Sequence, residues 1–140
     1  MLARRELSEA QVRQRLSRRQ FEAEDVDAAL ARLREGGALD DRRTALAFAR
    51  TQASVKRHGR LRILRELQAI GIGRSLAQDA VAEVFADVDE DALIVRALDR
   101  RLRNAEPTLA ALRRVQQYLL RQGFPSGRVN AAIRGRMRAG

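Results

Sequence analysis

An apolar pattern recurs three times along this 140-residue chain, at a spacing of 51 to 52 residues. In each copy the first two positions are four residues apart, and the last three have the spacing of one helix face. Each copy therefore predicts a helix, a sharp corner at an apolar residue, and a second helix. A repeat of this period indicates a stack of like units. The copies are Val12, Leu16, Phe21, Val26, Ala29 and Leu30; Ile63, Leu67, Ile72, Ala77, Ala80 and Val81; and Val115, Leu119, Phe124, Val129, Ala132 and Ile133.

Helix-start and helix-stop residues divide the chain into eight predicted helices, and no segment alternates with the period of a strand. Capping boxes at Ser8–Gln11 and Ser75–Gln78 mark two starts, and carboxylates at Asp40-Asp41 and Asp89-Glu90-Asp91, where the helix dipole favours them, mark two more. Glycines are expected to end helices, at Gly36–Gly37, Gly59, Gly71, Gly73 and Gly123. The predicted helices span 9–20, 24–35, 41–57, 60–70, 75–86, 90–103, 109–122 and 126–137.

A third helix precedes each of the last two helix pairs, at 41–57 and 90–103. The predicted fold is therefore all-α, an elongated tandem array of three three-helix units. Unit 1 covers 1–37, unit 2 covers 38–88 and unit 3 covers 89–140. We expect unit 1 to lack most of its leading helix, or the native start to lie upstream of Met1.

Composition excludes several classes of site. The chain has no cysteine, which removes disulfides and thiol chemistry and suits a reducing cytoplasm. His58 is the single histidine and is expected near the end of a helix. Gly71-Ile72-Gly73 lacks the Lys-Ser/Thr of a phosphate loop. The sequence thus predicts no enzyme, metal site or cofactor, and the start has no apolar region typical of a signal peptide.

Positive charge is the main functional signal. The net charge is +10, and the 28 basic residues are all arginine except Lys56. Residues 89–140 hold 11 basic and 5 acidic residues, a net +6. A GC-rich genome could account for arginine in place of lysine but does not explain the surplus over acids. A nucleic-acid phosphate backbone is the usual partner of such a surplus.

Seven arginines lie outside the apolar stripes of the predicted helices and are candidates for a polyanion-facing surface. A plain solvated face is the alternative, since any amphipathic helix needs a polar side. Glu66 lies among the arginines of the helix at 60–70 and offsets part of their charge, whereas no acidic residue occurs between 108 and 137. The candidates are Arg57, Arg60, Arg62 and Arg65 before and on the helix at 60–70, and Arg113, Arg114 and Arg121 on the helix at 109–122.

Three groups of residues resemble, in order and spacing, the repeat signatures of the RecX family. Gln20 stands where that family usually has glycine, Thr44 where it has phenylalanine, and Arg60 where proline is common. The matching groups are Leu2–Ala10 with Leu16 and Phe21; Gly37–Arg43, Ala47–Arg50 and Gly59–Ile72; and Tyr118–Pro125 with Val129–Ile133.

The resemblance implies a helical regulator, most often an inhibitor, of RecA recombinase. It implies a cytoplasmic monomer that binds the RecA filament and the single-stranded DNA within it, lies along the filament groove, and binds bare DNA weakly. Two alternatives remain open. A direct DNA-binding helix-turn-helix would read bases from the helix at 126–137, where Asn130 is the base-reading candidate. A repeat scaffold for another protein would carry its charge incidentally.

Overall fold

The computed structural model describes residues 6–103 and 108–139, and this part of the chain contains helices and no strands. All eight predicted helices are confirmed, with every boundary within three residues of its prediction. The helices are α1 (Glu9–Arg18), α2 (Ala23–Glu35), α3 (Asp41–Ser54), α4 (Arg60–Ala69), α5 (Arg74–Phe85), α6 (Glu90–Leu102), α7 (Leu109–Gln122) and α8 (Ser126–Ala139).

Most predicted helix starts are confirmed in atomic detail. The side chain of Ser8 accepts a hydrogen bond from Gln11 N–H, and the Gln11 side chain accepts one from Ser8 N–H, which completes the capping box. Asp40 and Asp89 cap α3 and α6 through their side chains. The capping box predicted at Ser75 is wrong, because α5 begins one residue earlier and has no side-chain cap.

Glycines at 59 and 73 do not end helices as predicted. Gly59 is the N-cap of α4 and Gly73 the N-cap of α5. Both have extended backbone and no side chain that could cap the helix. The prediction treated these two glycines as the ends of the preceding helices, whereas each one begins the helix that follows it.

Each group of helices encloses its own apolar core, which confirms the tandem three-helix architecture. Helices α3 to α5 pack around a cluster that includes Ala49, Ile63 and Leu67. Helices α6 to α8 pack around Ile94, Leu98, Leu112, Leu119 and Val129, among others. The pair α1 and α2 packs around Val26, Leu30 and Leu39. The residue boundaries of the three units stay a prediction.

The corner residue of unit 1 differs from its two counterparts. Ile72 and Phe124 are buried, in clusters that include residues of the leading helices α3 and α6. Phe21, at the equivalent place, is 53% exposed. A leading helix of unit 1 would fall before α1, and Met1–Arg5 lie outside the described residues.

The units form an extended array. The solvent-accessible area is 9772 Å². A compact monomer of 15.7 kDa is expected to expose roughly 7,300 Å², so the chain exposes about a third more. Separate small cores leave more surface in contact with water than one shared core would.

The joint between units 1 and 2 brings the start of α1 onto the end of α4. Ser8 is fully buried there, and its hydroxyl donates a hydrogen bond to the carbonyl of Ile70. The N–H of Glu9 donates to Asp41 Oδ1 at 2.8 Å. The N-terminal N–H groups and C-terminal carbonyls that a helix leaves unpaired are thus used between units.

The joint between units 2 and 3 repeats this arrangement 51 to 52 residues later. Gly59 N–H donates to the Gln122 carbonyl at 2.7 Å, and Leu61 N–H donates to the Gly123 carbonyl at 3.0 Å. Arg60 forms an ion pair with Glu90, which is 3% exposed. Helices α1, α4 and α7 therefore run end to end, each N-terminus against the next C-terminus, where their dipoles attract.

Gly123 is one of two glycines, with Gly59, whose missing side chain allows the close approach at this second joint, and Gly123→Ala tests it. Gly123 has φ +101°, and a Cβ there would overlap the backbone of Arg62. We expect the substitution to lower the free energy of unfolding by about 1–3 kcal/mol or more. Alanine is strained in the left-handed region, and its Cβ also overlaps Arg62, so both effects destabilise the folded state. Gly127→Ala is the matched control, because a Cβ there meets nothing within 4 Å. Equal denaturation midpoints for both variants would mean that the joint tolerates a side chain.

Small-angle scattering measures the predicted extension directly. A compact domain of this length has a radius of gyration of roughly 14 Å. Three cores in series should give a distinctly larger value and an asymmetric distance distribution. A radius near the compact value, with a symmetric distribution, would contradict the array.

Candidate functional site

A pocket of about 870 Å³ lies between units 2 and 3. We call it the interunit pocket. The C-terminal end of α3 and the segment after it form one wall, and α6 with part of α7 forms the other. Basic side chains line both walls, and none of the lining residues in the described ranges 6–103 and 108–139 carries a carboxylate. These side chains are Arg50, Lys56, Arg57, Arg96, Arg100 and Arg101.

The floor of the interunit pocket is mostly aliphatic, formed by the sides of the two cores that face each other. It includes Ala53, Val84, Val88, Leu93, Leu119 and Phe124. An apolar floor under a charged rim is the usual construction of a ligand site, in which the floor supplies contact area and the rim supplies orientation.

Arg57 reaches the interunit pocket from a strained backbone position. Its φ is +61°, in the left-handed region that a non-glycine residue seldom adopts. The turn after α3 is held by His58 N–H, which donates to the Gln52 carbonyl at 2.9 Å. Neighbouring contacts thus hold Arg57 in this conformation just after the end of α3.

The six cations of the interunit pocket form no ion pair with any carboxylate of the described residues. Elsewhere on the surface many arginines are paired, for example Arg43 with Glu6 and Arg128 with Asp91. The hydrogen bond from Arg128 to Asp91 and the charge of Asp91 raise the pKa of that guanidinium. Positive potential is therefore concentrated at the pocket, although its six cations are exposed to solvent and salt.

A second, shallower concavity continues from the pocket along α7. It is lined by Arg113, Arg114, Gln117 and Arg121 and shares Arg101 and Tyr118 with the interunit pocket. We call Arg113, Arg114 and Arg121 the arginine face. The guanidinium of Arg101 stacks over the Tyr118 ring, 3.2 Å from its centre, and joins the two concavities.

The structure divides the seven candidate arginines into three groups. Arg57 lines the interunit pocket, and the three residues of the arginine face lie together beside it. Arg65 is exposed on α4. Arg60 and Arg62 lie at the joint instead: Arg60 pairs with Glu90 and stacks over Phe85, and Arg62 donates to Gln122 at 3.3 Å.

Sequence reasoning missed five of the six pocket cations, namely Lys56 and the four arginines Arg50, Arg96, Arg100 and Arg101. It concentrated on the repeated helix pairs, whereas these arginines lie on the leading helices α3 and α6. A signal was present, because Arg96 and Arg100 are one helical turn apart and share a face. Asp99 lies next to Arg100 in the sequence, but its carboxylate pairs with Arg136 of α8.

His58 is part of the packing of unit 2. Its Nδ1 lies 2.8 Å from Glu66 Oε1 and 3.4 Å from the Gln52 amide, and its side chain is 11% exposed. Among residues 6–103 and 108–139, no three His, Asp or Glu side chains cluster as metal ligands would. None of the helices in the same ranges is long and apolar enough to cross a membrane.

Family comparisons agree with this architecture. A profile described as the first three-helix domain of RecX matches residues 1–33, and one described as the second matches residues 40–81. A crystal structure of RecX from Lactobacillus salivarius superposes with a TM-score of 0.81 at 18% identity, covering 92% of this chain and 84% of that one. Another regulatory protein RecX structure gives 0.76 at 30% identity, covering 92% and 64%.

Curated relatives extend the similarity over nearly the whole chain. A regulatory protein RecX from Thermus thermophilus is 39% identical over 128 residues, covering 91% of this chain and 80% of that protein. A regulatory protein RecX from Geobacillus kaustophilus is 33% identical over 135 residues, and this chain spans only 49% of its length. Because the helical units, their repeated joint and these matches all agree, the chain belongs to the RecX family.

Proposed function

We propose that this chain modulates RecA recombinase, as an inhibitor that binds the RecA–DNA filament along its helical groove. It would thereby limit filament growth, ATP hydrolysis and strand exchange. The regulatory names of its relatives support a non-enzymatic role. The observation that carries the proposal is the continuous basic surface formed by the interunit pocket and the arginine face.

The geometry suits an extended partner better than a compact one. Joints of backbone hydrogen bonds and buried polar contacts hold the units in series, and the basic surface continues from the interunit pocket onto the arginine face of α7. A filament groove offers protein and phosphate side by side over such a length. On this proposal the protein acts as a monomer, and the filament orders the DNA that the arginines contact.

Base reading by α8 has less support. The side chain of Asn130 accepts a hydrogen bond from the Gln116 amide at 2.7 Å, so it is engaged between α7 and α8. Two arginines of α8, Arg128 and Arg136, pair with Asp91 and Asp99 of α6. These contacts dock α8 on its own unit, whereas a recognition helix must present such groups to base edges.

The proposed function predicts inhibition of RecA ATP hydrolysis on single-stranded DNA at substoichiometric amounts of this protein. One array bound in the groove would block growth of the filament past that point. The measurement is steady-state ATP turnover by RecA against a titration of the chain, with heat-denatured protein as the control. Unchanged turnover at micromolar concentrations of both proteins would refute the proposal.

The arginine face should contribute to affinity for the DNA-bound filament through counterion release. We expect the triple Ala variant of Arg113, Arg114 and Arg121 to keep its fold, since exposed substitutions usually cost little. Its affinity should fall, and the log–log salt slope should shrink by up to about 0.7 per lost single-strand phosphate contact.

The matched control for this variant removes three exposed arginines of unit 1, Arg15, Arg18 and Arg19, by the same substitution. It lowers the net charge equally but leaves the arginine face intact. Both variants are compared across a salt series with circular dichroism as the test of folding. If the two lose equal affinity, only net charge matters, and the arginine face has no special role.

A further inference from the structure

We propose that the interunit pocket binds an acidic protein segment that inserts at least one apolar side chain. The inference rests on the proposed function and deepens it, because it assigns protein and nucleic acid to different parts of the basic surface. The arginine face would meet phosphates, and the interunit pocket would hold a carboxylate-rich stretch of polypeptide.

Charge complementarity gives the first argument. The pocket brings Arg50, Lys56 and Arg57 from one unit opposite Arg96 and Arg100 from the next. None of these five pairs with a carboxylate among the described residues. A segment lying between the walls could therefore form ion pairs on both sides. Guanidinium groups bind carboxylates through two parallel hydrogen bonds, so arginine-rich walls suit a carboxylate-bearing chain.

The floor gives the second argument, and it favours protein over nucleic acid. Single-stranded nucleic acids bind by stacking bases on open aromatic faces. Here the floor is aliphatic, with Val84, Val88 and Leu93 among its residues. Phe124 is 5% exposed, and Arg101 covers one face of the Tyr118 ring. A leucine, isoleucine or methionine side chain would bury its surface on this floor, whereas among the described lining residues the one aromatic ring open to a base is Tyr118, which Arg101 already covers on one face.

Size gives the third argument. At about 870 Å³ the pocket lies within the roughly 300–1,000 Å³ range of cavities that enclose a ligand. It is too large for a single carboxylate or phosphate ion and is open along α7 toward the arginine face. An extended segment with one anchor in the pocket and acids before and after it would match both features.

The test is direct binding to the intact chain, measured by fluorescence anisotropy without RecA. The probe is a labelled 12-residue peptide that alternates Glu or Asp with Leu. Two comparison probes are the same peptide with every Leu replaced by Ser, and a labelled 12-residue oligo-dT. We expect the Leu peptide to bind at least about tenfold more tightly than the Ser peptide, because only the former uses the floor.

Two matched variants locate the site. Arg96→Ala combined with Arg100→Ala should weaken binding of the Leu peptide by about tenfold or more. Arg15→Ala combined with Arg19→Ala removes the same charge from exposed positions of unit 1 and should change it less than twofold. Thermal unfolding of both variants confirms that they remain folded. The triple variant of the arginine face should bind oligo-dT less tightly and keep most of its affinity for the Leu peptide.

Three results would overturn the proposal. Equal affinity for the Leu and Ser peptides would mean that the floor is unused. Equal losses for the two double variants would place the binding outside the pocket. The third result has two parts: oligo-dT displaces the Leu peptide, and oligo-dT binds less tightly to the Arg96 and Arg100 double variant. Both together would show that the pocket is a nucleic-acid site. Since this assay contains no RecA, its failure leaves the ATP-turnover result intact, and failure of RecA inhibition leaves peptide binding measurable.

Discussion

Two backbone hydrogen bonds, from Gly59 and Leu61 to the C-terminal end of α7, determine where unit 3 lies relative to unit 2. Gly59 has no side chain to cap α4, and the carbonyls at the end of α7 supply what a cap would. A Cβ at Gly59 would overlap the backbone of Gly123, so the close approach depends on the missing side chain. The interunit pocket exists because this contact holds the two units at one fixed angle.

The buried pair of Arg60 and Glu90 reinforces this angle in a different way. Glu90 is 3% exposed, and its Oε2 has no hydrogen-bond partner among the described protein atoms. Burying such a pair contributes little net stability, because desolvation offsets the attraction. Its larger effect is on specificity, since an orientation that removed Arg60 while Glu90 stayed buried would leave that carboxylate without its cation. The equivalent bond in the first joint, from Glu9 N–H to Asp41, links the units in the same place without an arginine.

Local sequence signals predicted the helices well, because caps and apolar periodicity act over a few residues. Ser8 and Asp40 are examples, and both cap the helices expected of them. The same signals failed wherever a residue acts between units. Asp41 and Glu90 were interpreted as charges that favour a helix N-terminus, yet each also anchors the preceding unit. Arg60 and Arg62 were interpreted as free cations for the same reason.

The candidate site was predictable only in part. The arginine face could be identified from one helix, because its three residues share a side of α7. The interunit pocket could not, because its walls come from helices about 45 residues apart in the chain. Only the angle of the joint brings Arg50 near Arg96. The positive φ of Gln20 (+66°) was not predicted, although the repeat aligns Gln20 with Gly71 and Gly123, which also have positive φ.

The cations on the two walls of the interunit pocket have a mechanical consequence. Like charges on two rigid bodies repel, and here the repulsion acts across a joint held by a few hydrogen bonds and one ion pair. This repulsion between the two walls favours separation of units 2 and 3. The repulsion becomes stronger at low salt, where the screening distance exceeds about 10 Å. A bound anionic segment would offset the repulsion, so binding in the pocket and the stiffness of the array are thermodynamically coupled.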